Sequence, residues 1–141
     1  MDNATQSSFS FLRYLVKDAK IAVNDNIVSN RISLQLNLDA EVKEESSLCE
    51  LTVTVHMNDE SNNICVDVVL TGYFEAMNCD RKQRNGFISM NAPAILFPYI
   101  RAYVSSLTAQ SGIAPINIPT INLVKQGEEL LKKLNAADDH Q

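Results

Sequence analysis

Between Arg31 and Lys43 apolar and polar side chains alternate without a miss, with Ile32, Leu34, Leu36, Leu38, Ala40 and Val42 set against Ser33, Gln35, Asn37, Asp39 and Glu41. A period of two puts the two sets on opposite faces of a pleated strand, one dry and one wet. The pattern returns after a polar turn at Glu44 to Ser47, with Leu51, Val53, Val55 and Met57 alternating against Thr52, Thr54, His56 and Asn58. A second turn, Asn58 to Asn63, leads to Ile64, Val66, Val68 and Leu70, with Cys65, Asp67, Val69 and Thr71 on the other face. Short polar turns between such strands predict an antiparallel meander.

The segment Phe9 to Val23 reads two ways. As a strand it is partly apolar on both faces; a helix through Leu12, Leu15, Val16 and Ala19 also fits. Its aromatic and β-branched content favours the strand. A strand apolar on both faces near a chain end is suited to pairing with a second subunit.

Beyond Asn91 the period changes. From Ala92 to Gln110 the only charged side chain is Arg101, and Ile95, Leu96, Phe97, Tyr99, Ile100, Tyr103, Val104 and Leu107 cover nearly the whole circumference of a helix. A helix apolar all round has to be buried on more than one side. Asn91 is expected to cap it, Pro93 sits in its first turn, and Pro98 removes a hydrogen bond and is expected to kink it. A Pro-punctuated apolar loop follows. A second helix is expected over about Ile121 to Asn135, one-sided through Leu123, Val124, Leu130, Leu131 and Leu134, with Glu128 and Glu129 four residues before Lys132 and Lys133. Gly127 inside it costs about 1 kcal/mol relative to Ala, which predicts a weakly held, movable helix.

A chain of 141 residues has room for one core. The reading is a single domain over residues 9–135, disordered ends at 1–8 and 136–141, and the α+β class. The net charge of −5 and pI near 4.9 argue against nucleic acid or an anionic membrane as partner. The one basic cluster, Arg81, Lys82 and Arg84, stands beside Asn85-Gly86 and reads as a solvated loop. No apolar run approaches the length of a membrane helix, and the N-terminus lacks the basic start and apolar core of a signal peptide, so the expected place is the cytoplasm. Cys49, Cys65 and Cys79 form no CxxC pair and are expected as reduced thiols.

No chemistry-bearing motif emerges. His56 and His140 lie near no cysteine at metal-ligand spacing, so no metal site is expected. Phosphate-cradling and nucleophile-elbow patterns are absent from the sequence. Scattered carboxylates read as surface charge. The expectation is a non-enzyme without a cofactor.

The run AILFPYIRAYVSSL followed by INIPTINLVKQGEELL resembles the C-terminal half of the SecB-type export chaperones. Leu96, Phe97, Pro98, Tyr99, Arg101, Ser105, Ser106, Asn117 and Asn122 coincide with that family's pattern, and Gly72 and Phe74 match its Gly-x-Phe strand end. Phe9 and the Lys17-Asp18 pair match its first strand more faintly. Thr71 replaces a second family glycine, Ala102 replaces an acidic residue, and the family's extended tail, which takes part in docking to the SecA motor, is nearly absent.

The resemblance implies a four-stranded antiparallel sheet with two C-terminal helices on one face, assembled as a dimer of dimers, a homotetramer with the long helices between dimers. It implies an ATP-independent holdase that keeps unfolded precursors competent for the Sec translocase. A client groove would be lined by Leu34, Leu36 and Leu38, by Ile113, Ile116 and Ile118 of the loop, and by Ile121, Leu123, Leu130 and Leu131; Leu34, Leu36 and Leu130 serve equally well as plain core. Asp18 and Asp67 fall where the family meets SecA. Val66, Val68, Tyr99 and Tyr103 fall at positions tied to assembly. Two other readings stay open: a chaperone dedicated to one client, such as an antitoxin, and an oligomeric binder of a small apolar ligand.

Overall fold

The computed structural model describes residues 6–25, 31–119 and 121–139. Four antiparallel strands, β1 (Ser8–Val23), β2 (Ile32–Lys43), β3 (Leu48–Asp59) and β4 (Ile64–Met77), form one sheet in the order β1-β4-β3-β2. The meander is β2-β3-β4. β1 closes on β4 rather than on β2, which gives a Greek-key order with β1 and β2 at the edges. The segment that fitted either strand or helix is therefore a strand, and two register shifts, between Phe11 and Arg13 and between Val16 and Asp18, let it keep an aromatic face inward.

The helical layer covers one face of this sheet. A short helix α1 (Arg81–Gly86) opens with a capping box: Asp80 accepts from the Gln83 amide at 2.7 Å while Gln83 Oε1 accepts from the Asp80 amide at 3.1 Å. The basic cluster is thus helical rather than a loop. Arg84 is buried, donating to Glu44 and Asp138 at 3.1 Å each and to Asn85. Burial beside two carboxylates gives this arginine a structural role that its solvated reading missed.

The helix continues through a π-turn, Phe87–Asn91, into α2 (Ala92–Gln110). Asn91 makes no side-chain cap, because the helix is already running when the chain reaches it. Pro93 has no N–H, so the carbonyl of Ser89 lacks the donor an α-helix would supply, and the backbone widens there to a pairing between the Ala92 amide and Phe87. Pro98 lies within α2 without ending it.

α3 (Val124–Asp139) begins three residues later and ends four residues later than the sequence periodicity indicates. Asn122 Oδ1 accepts from the Val124 amide at 2.9 Å at its start. Near its end Asp138 reaches Arg84 and Asn85, so contacts with α1 hold residues assigned to a tail in helical form. Residues 1–5, 140 and 141 of the expected ends lie outside the described residues.

Two glycines permit the layers to meet. A Cβ at Gly72 would come within 2.6 Å of Leu96, which brings α2 down onto β4. A Cβ at Gly127 would lie 2.5 Å from the Ser89 carbonyl oxygen. Gly127 is buried at a tight helix crossing and is not a weak point of α3, as its propensity alone predicts. The core runs from Leu51, Val53 and Val55 through Val66, Val68 and Phe74 to Leu96, Ile100 and Val104.

Candidate functional site

The helical layer does not cover the sheet evenly. After α2 the chain crosses back over β3 and β2 as an extended segment, 113–119 and 121–123, instead of a helix. Pro115 and Pro119 cannot donate backbone hydrogen bonds, which bars regular structure here. The segment is tied to α2 by side chains. Thr108 Oγ1 donates to Val104 O at 2.9 Å and accepts from the Ile116 amide at 2.9 Å, while Ser105 donates to Asn117 Oδ1 at 3.2 Å.

Held at that height, the segment leaves open space above the edge of the sheet. A cleft of about 620 Å³ lies between it and the β2–β3 hairpin, walled by Leu34, Ile116, Ile118 and Ile121 together with Ile32 and Met57. Four of the ten groove residues therefore border one cleft, Leu34, Ile116 and Ile121 with accessible surface and Ile118, at 2% exposure, as part of the core beneath it. A second cleft, about 390 Å³, opens on the other side of the segment, where Ile121 and Leu123 face Pro93, Phe97 and Pro98 of α2, with Arg101 at its rim. Its walls are mostly apolar, with Ser89 and Asn122 adding polar groups beside that guanidinium. Leu36, Leu38 and Leu130 instead meet in the core at 2–7% exposure and border a smaller recess of about 250 Å³ shared with Asp39, Glu129 and Lys133. For Leu36 and Leu130 the choice between core and groove falls to core. Leu34, half-buried, stays on the groove side because α3 covers only the more central part of β2. Ile113 is buried, and Leu131 is half-buried on α3 and is not among the residues lining these clefts. Ile32 and Met57 are wall residues missed by the sequence reading; they share the inward face of the same alternation.

The assembly residues separate into two kinds. Val66 and Val68 are 0% exposed within this one chain, packed beneath its own helical layer, so they cannot meet a partner with their side chains. Tyr99 is 39% exposed and rests on Phe11 and Tyr14, with ring centroids 5.4 and 4.8 Å apart; Tyr103 is half-buried beside it on α2. The outer side of α2 leaves Ala94, Pro98, Ala102 and Ser106 in the open.

The opposite face of the sheet carries Asp18 and Asp67. Asp18 lies 3.9 Å from Lys20, both well exposed. Asp67 receives His56 Nδ1 at 2.6 Å and the Cys65 thiol at 3.8 Å. Thus His56 and Cys65, far from any ligand spacing along the chain, are neighbours across a hairpin. Burial, then the charge of Asp67 and its hydrogen bond, push the Cys65 thiol above its ordinary range. Among the described residues no helix is long and apolar enough to cross a membrane.

Comparison with known proteins bears on this geometry. The family model for the preprotein translocase subunit SecB matches residues 2–126. A protein-export protein SecB from Azoarcus sp. (strain BH72) is 28% identical over 149 residues, covering 99% of this chain and 95% of that protein. Another, from Saccharophagus degradans, is 32% identical over 95 residues, 67% of this chain and 56% of its own. An uncharacterized protein of Methanocaldococcus jannaschii is 26% identical over 131 residues, 87% of this chain and 84% of that one. Among solved structures, the SecB-like chaperone of Mycobacterium tuberculosis, in complex with a ChAD peptide from the HigA1 antitoxin, superposes with a TM-score of 0.70 at 15% identity, covering 80% of this chain and 90% of that chain. At that identity the likeness is one of fold.

Proposed function

This chain belongs to the SecB family, and from that premise we propose that it is an ATP-independent holdase that binds unfolded polypeptide in its apolar clefts and keeps precursors competent for the Sec translocase. The observation that carries the reading is the 620 Å³ cleft between the Pro-bounded segment and the β2–β3 hairpin, mainly apolar with Asn117 as its polar side chain, and open to solvent. Apolar burial contributes roughly 25 cal/mol per Å² without directionality, so such a surface holds clients without reading their sequence. Release needs no nucleotide when each contact is weak.

Assembly supplies the avidity. The outer side of α2, which carries Arg101 as its one charge, and the edge strand β1, with Leu12 half exposed, offer two separate surfaces for a dimer of dimers. Several clefts on one tetramer then engage one long client together. Asp18 and Asp67, on the outer face of the sheet, are the proposed contact with SecA, and the cytoplasm is the proposed location.

The test is suppression of aggregation of a chemically unfolded protein, without ATP, at one tetramer per client. Light scattering held low by the wild type and restored in Leu34→Asp/Ile116→Asp supports the reading; no suppression by a wild type that sediments as a tetramer overturns it. A second reading, a chaperone dedicated to one client such as an antitoxin, rests on the fold shared with the antitoxin-bound chaperone. It predicts protection of one partner and failure with unrelated unfolded proteins. Unchanged SecA binding in Asp18→Lys/Asp67→Lys removes those residues from the motor contact.

A further inference from the structure

His56 on β3 and Asp67 on β4 are register partners in the middle of the sheet, and Cys65 stands two residues before Asp67 on the same side of the pleat. Their side chains converge on the outer face: one ligand atom from each, a ring nitrogen, a thiol sulfur and a carboxylate oxygen, lies within 4.8 Å of the other two. We propose that His56, Cys65 and Asp67 form a site for one borderline divalent transition-metal ion of the zinc class per chain.

The distances are close to those a metal requires. Bonds of about 2.0 Å to nitrogen and oxygen and about 2.3 Å to sulfur, at tetrahedral angles, put ligand atoms roughly 3.3–3.6 Å apart. Asp67 meets His56 Nδ1 at 2.6 Å through Oδ1 and Cys65 Sγ at 3.8 Å through Oδ2; with a single oxygen as ligand the three atoms lie within 4.8 Å of one another and have to shift by about 1 Å to reach these separations. Side-chain rotation achieves that on a backbone held by the central strands. All three residues are half-buried, so the fourth position faces water. An imidazole and a thiolate select against magnesium and calcium, which take oxygen ligands.

The surroundings tolerate the charge. Lys20 stands across from Asp67 on β1, but its ammonium lies 3.9 Å from Asp18, and Gln35 across from His56 on β2 is neutral. A divalent ion takes the place of the thiol proton of Cys65, which leaves to solvent as the metal–sulfur bond forms. The site shares Asp67 with the proposed motor contact, yet its test involves neither motor nor client, so the two readings fail separately.

The experiment titrates the full chain, stripped of metal and reduced, with Co²⁺ and then Zn²⁺. The expected result is one equivalent of Co²⁺ per chain with a thiolate-to-cobalt charge-transfer absorption, displaced by Zn²⁺ and not by Mg²⁺. Cys65→Ser is expected to remove the absorption, and His56→Gln to weaken Zn²⁺ binding at least about tenfold. Cys79→Ser changes neither. Absence of the absorption in the wild type, its survival in Cys65→Ser or its loss in Cys79→Ser overturns the proposal. So does unchanged zinc affinity in His56→Gln, a surface-face variant whose fold is checked by circular dichroism.

Discussion

The two halves of the helical layer are built to different densities. Over β1 and β4, Phe9 stacks on Phe74 at 4.9 Å and on Phe87 at 5.2 Å, and Leu96 sits directly on Gly72. Over the Ile32–Leu34 end of β2 and its β3 partner Met57, an extended segment with two prolines replaces a helix and leaves a cleft with mainly apolar walls. One sheet face thus carries a filled region that determines the fold and an open region that the fold does not need. Stability and binding should respond to substitution in opposite regions.

Phe74→Ala tests the filled half most severely. Removing a fully buried ring from an aromatic stack should cost about 3–5 kcal/mol, read as a lower urea midpoint at unchanged slope. A loss below about 1 kcal/mol would mean the stack is not what closes this half. Gly127→Ala comes next, at the seam between the halves. Its methyl group has to push α3 off the Ser89 carbonyl, with a cost of about 1–3 kcal/mol although helix propensity alone predicts a gain. A more stable variant would show that the crossing is loose.

A smaller, pH-dependent loss is expected at Cys49, whose thiol is pushed up to about 11, chiefly by burial. The folded chain prefers the neutral thiol, while the unfolded chain begins to ionise near pH 9. Stability from this group is therefore full below about pH 9 and is lost between about pH 9 and 11. Cys49→Val should flatten that part of the midpoint-versus-pH curve. The smallest effect on stability belongs to the open half. Leu34→Ser and Ile116→Ser, both at half-buried walls, should each cost under about 1 kcal/mol yet reduce client protection several-fold. If protection falls only in step with stability, the clefts are packing defects and not binding surfaces.

The strands were legible because alternation in β2, β3 and β4 is a local signal that survives into the fold. The position of β1 was not, since nothing along the chain says which edge a strand joins. α1 was readable in principle: Asp80 and Gln83 have capping-box spacing, but Asn85-Gly86 looks like a turn. Tertiary contacts decide otherwise, with Asn85 buried and bonded to Asn135 and Asp138. The end of α3 escaped for the same reason. At the site, the apolar identities were legible and their accessibility was not. Leu34, Leu36 and Leu38 are equivalent in the pattern, and only the path of α3 over β2 divides the first from the other two. His56 and Cys65 show the same limit, because ligands joined across a hairpin leave no fixed spacing to find.

The contacts of Gly127 with the π-turn and of Asp138 with Arg84 fasten α3 near both ends. A helix anchored twice behaves as a crossbar and not as a hinged flap. Its amides should exchange with solvent together with those of α1, in one cooperative opening. Residues 113–119 and 121–123, held by two side-chain bonds to α2 and by the buried Ile113 and Ile118, should open at lower cost. Any breathing of the clefts is thereby assigned to the loop, and under the proposed function the size of an admitted polypeptide would be set by how far a Pro-bounded segment lifts from a fixed frame.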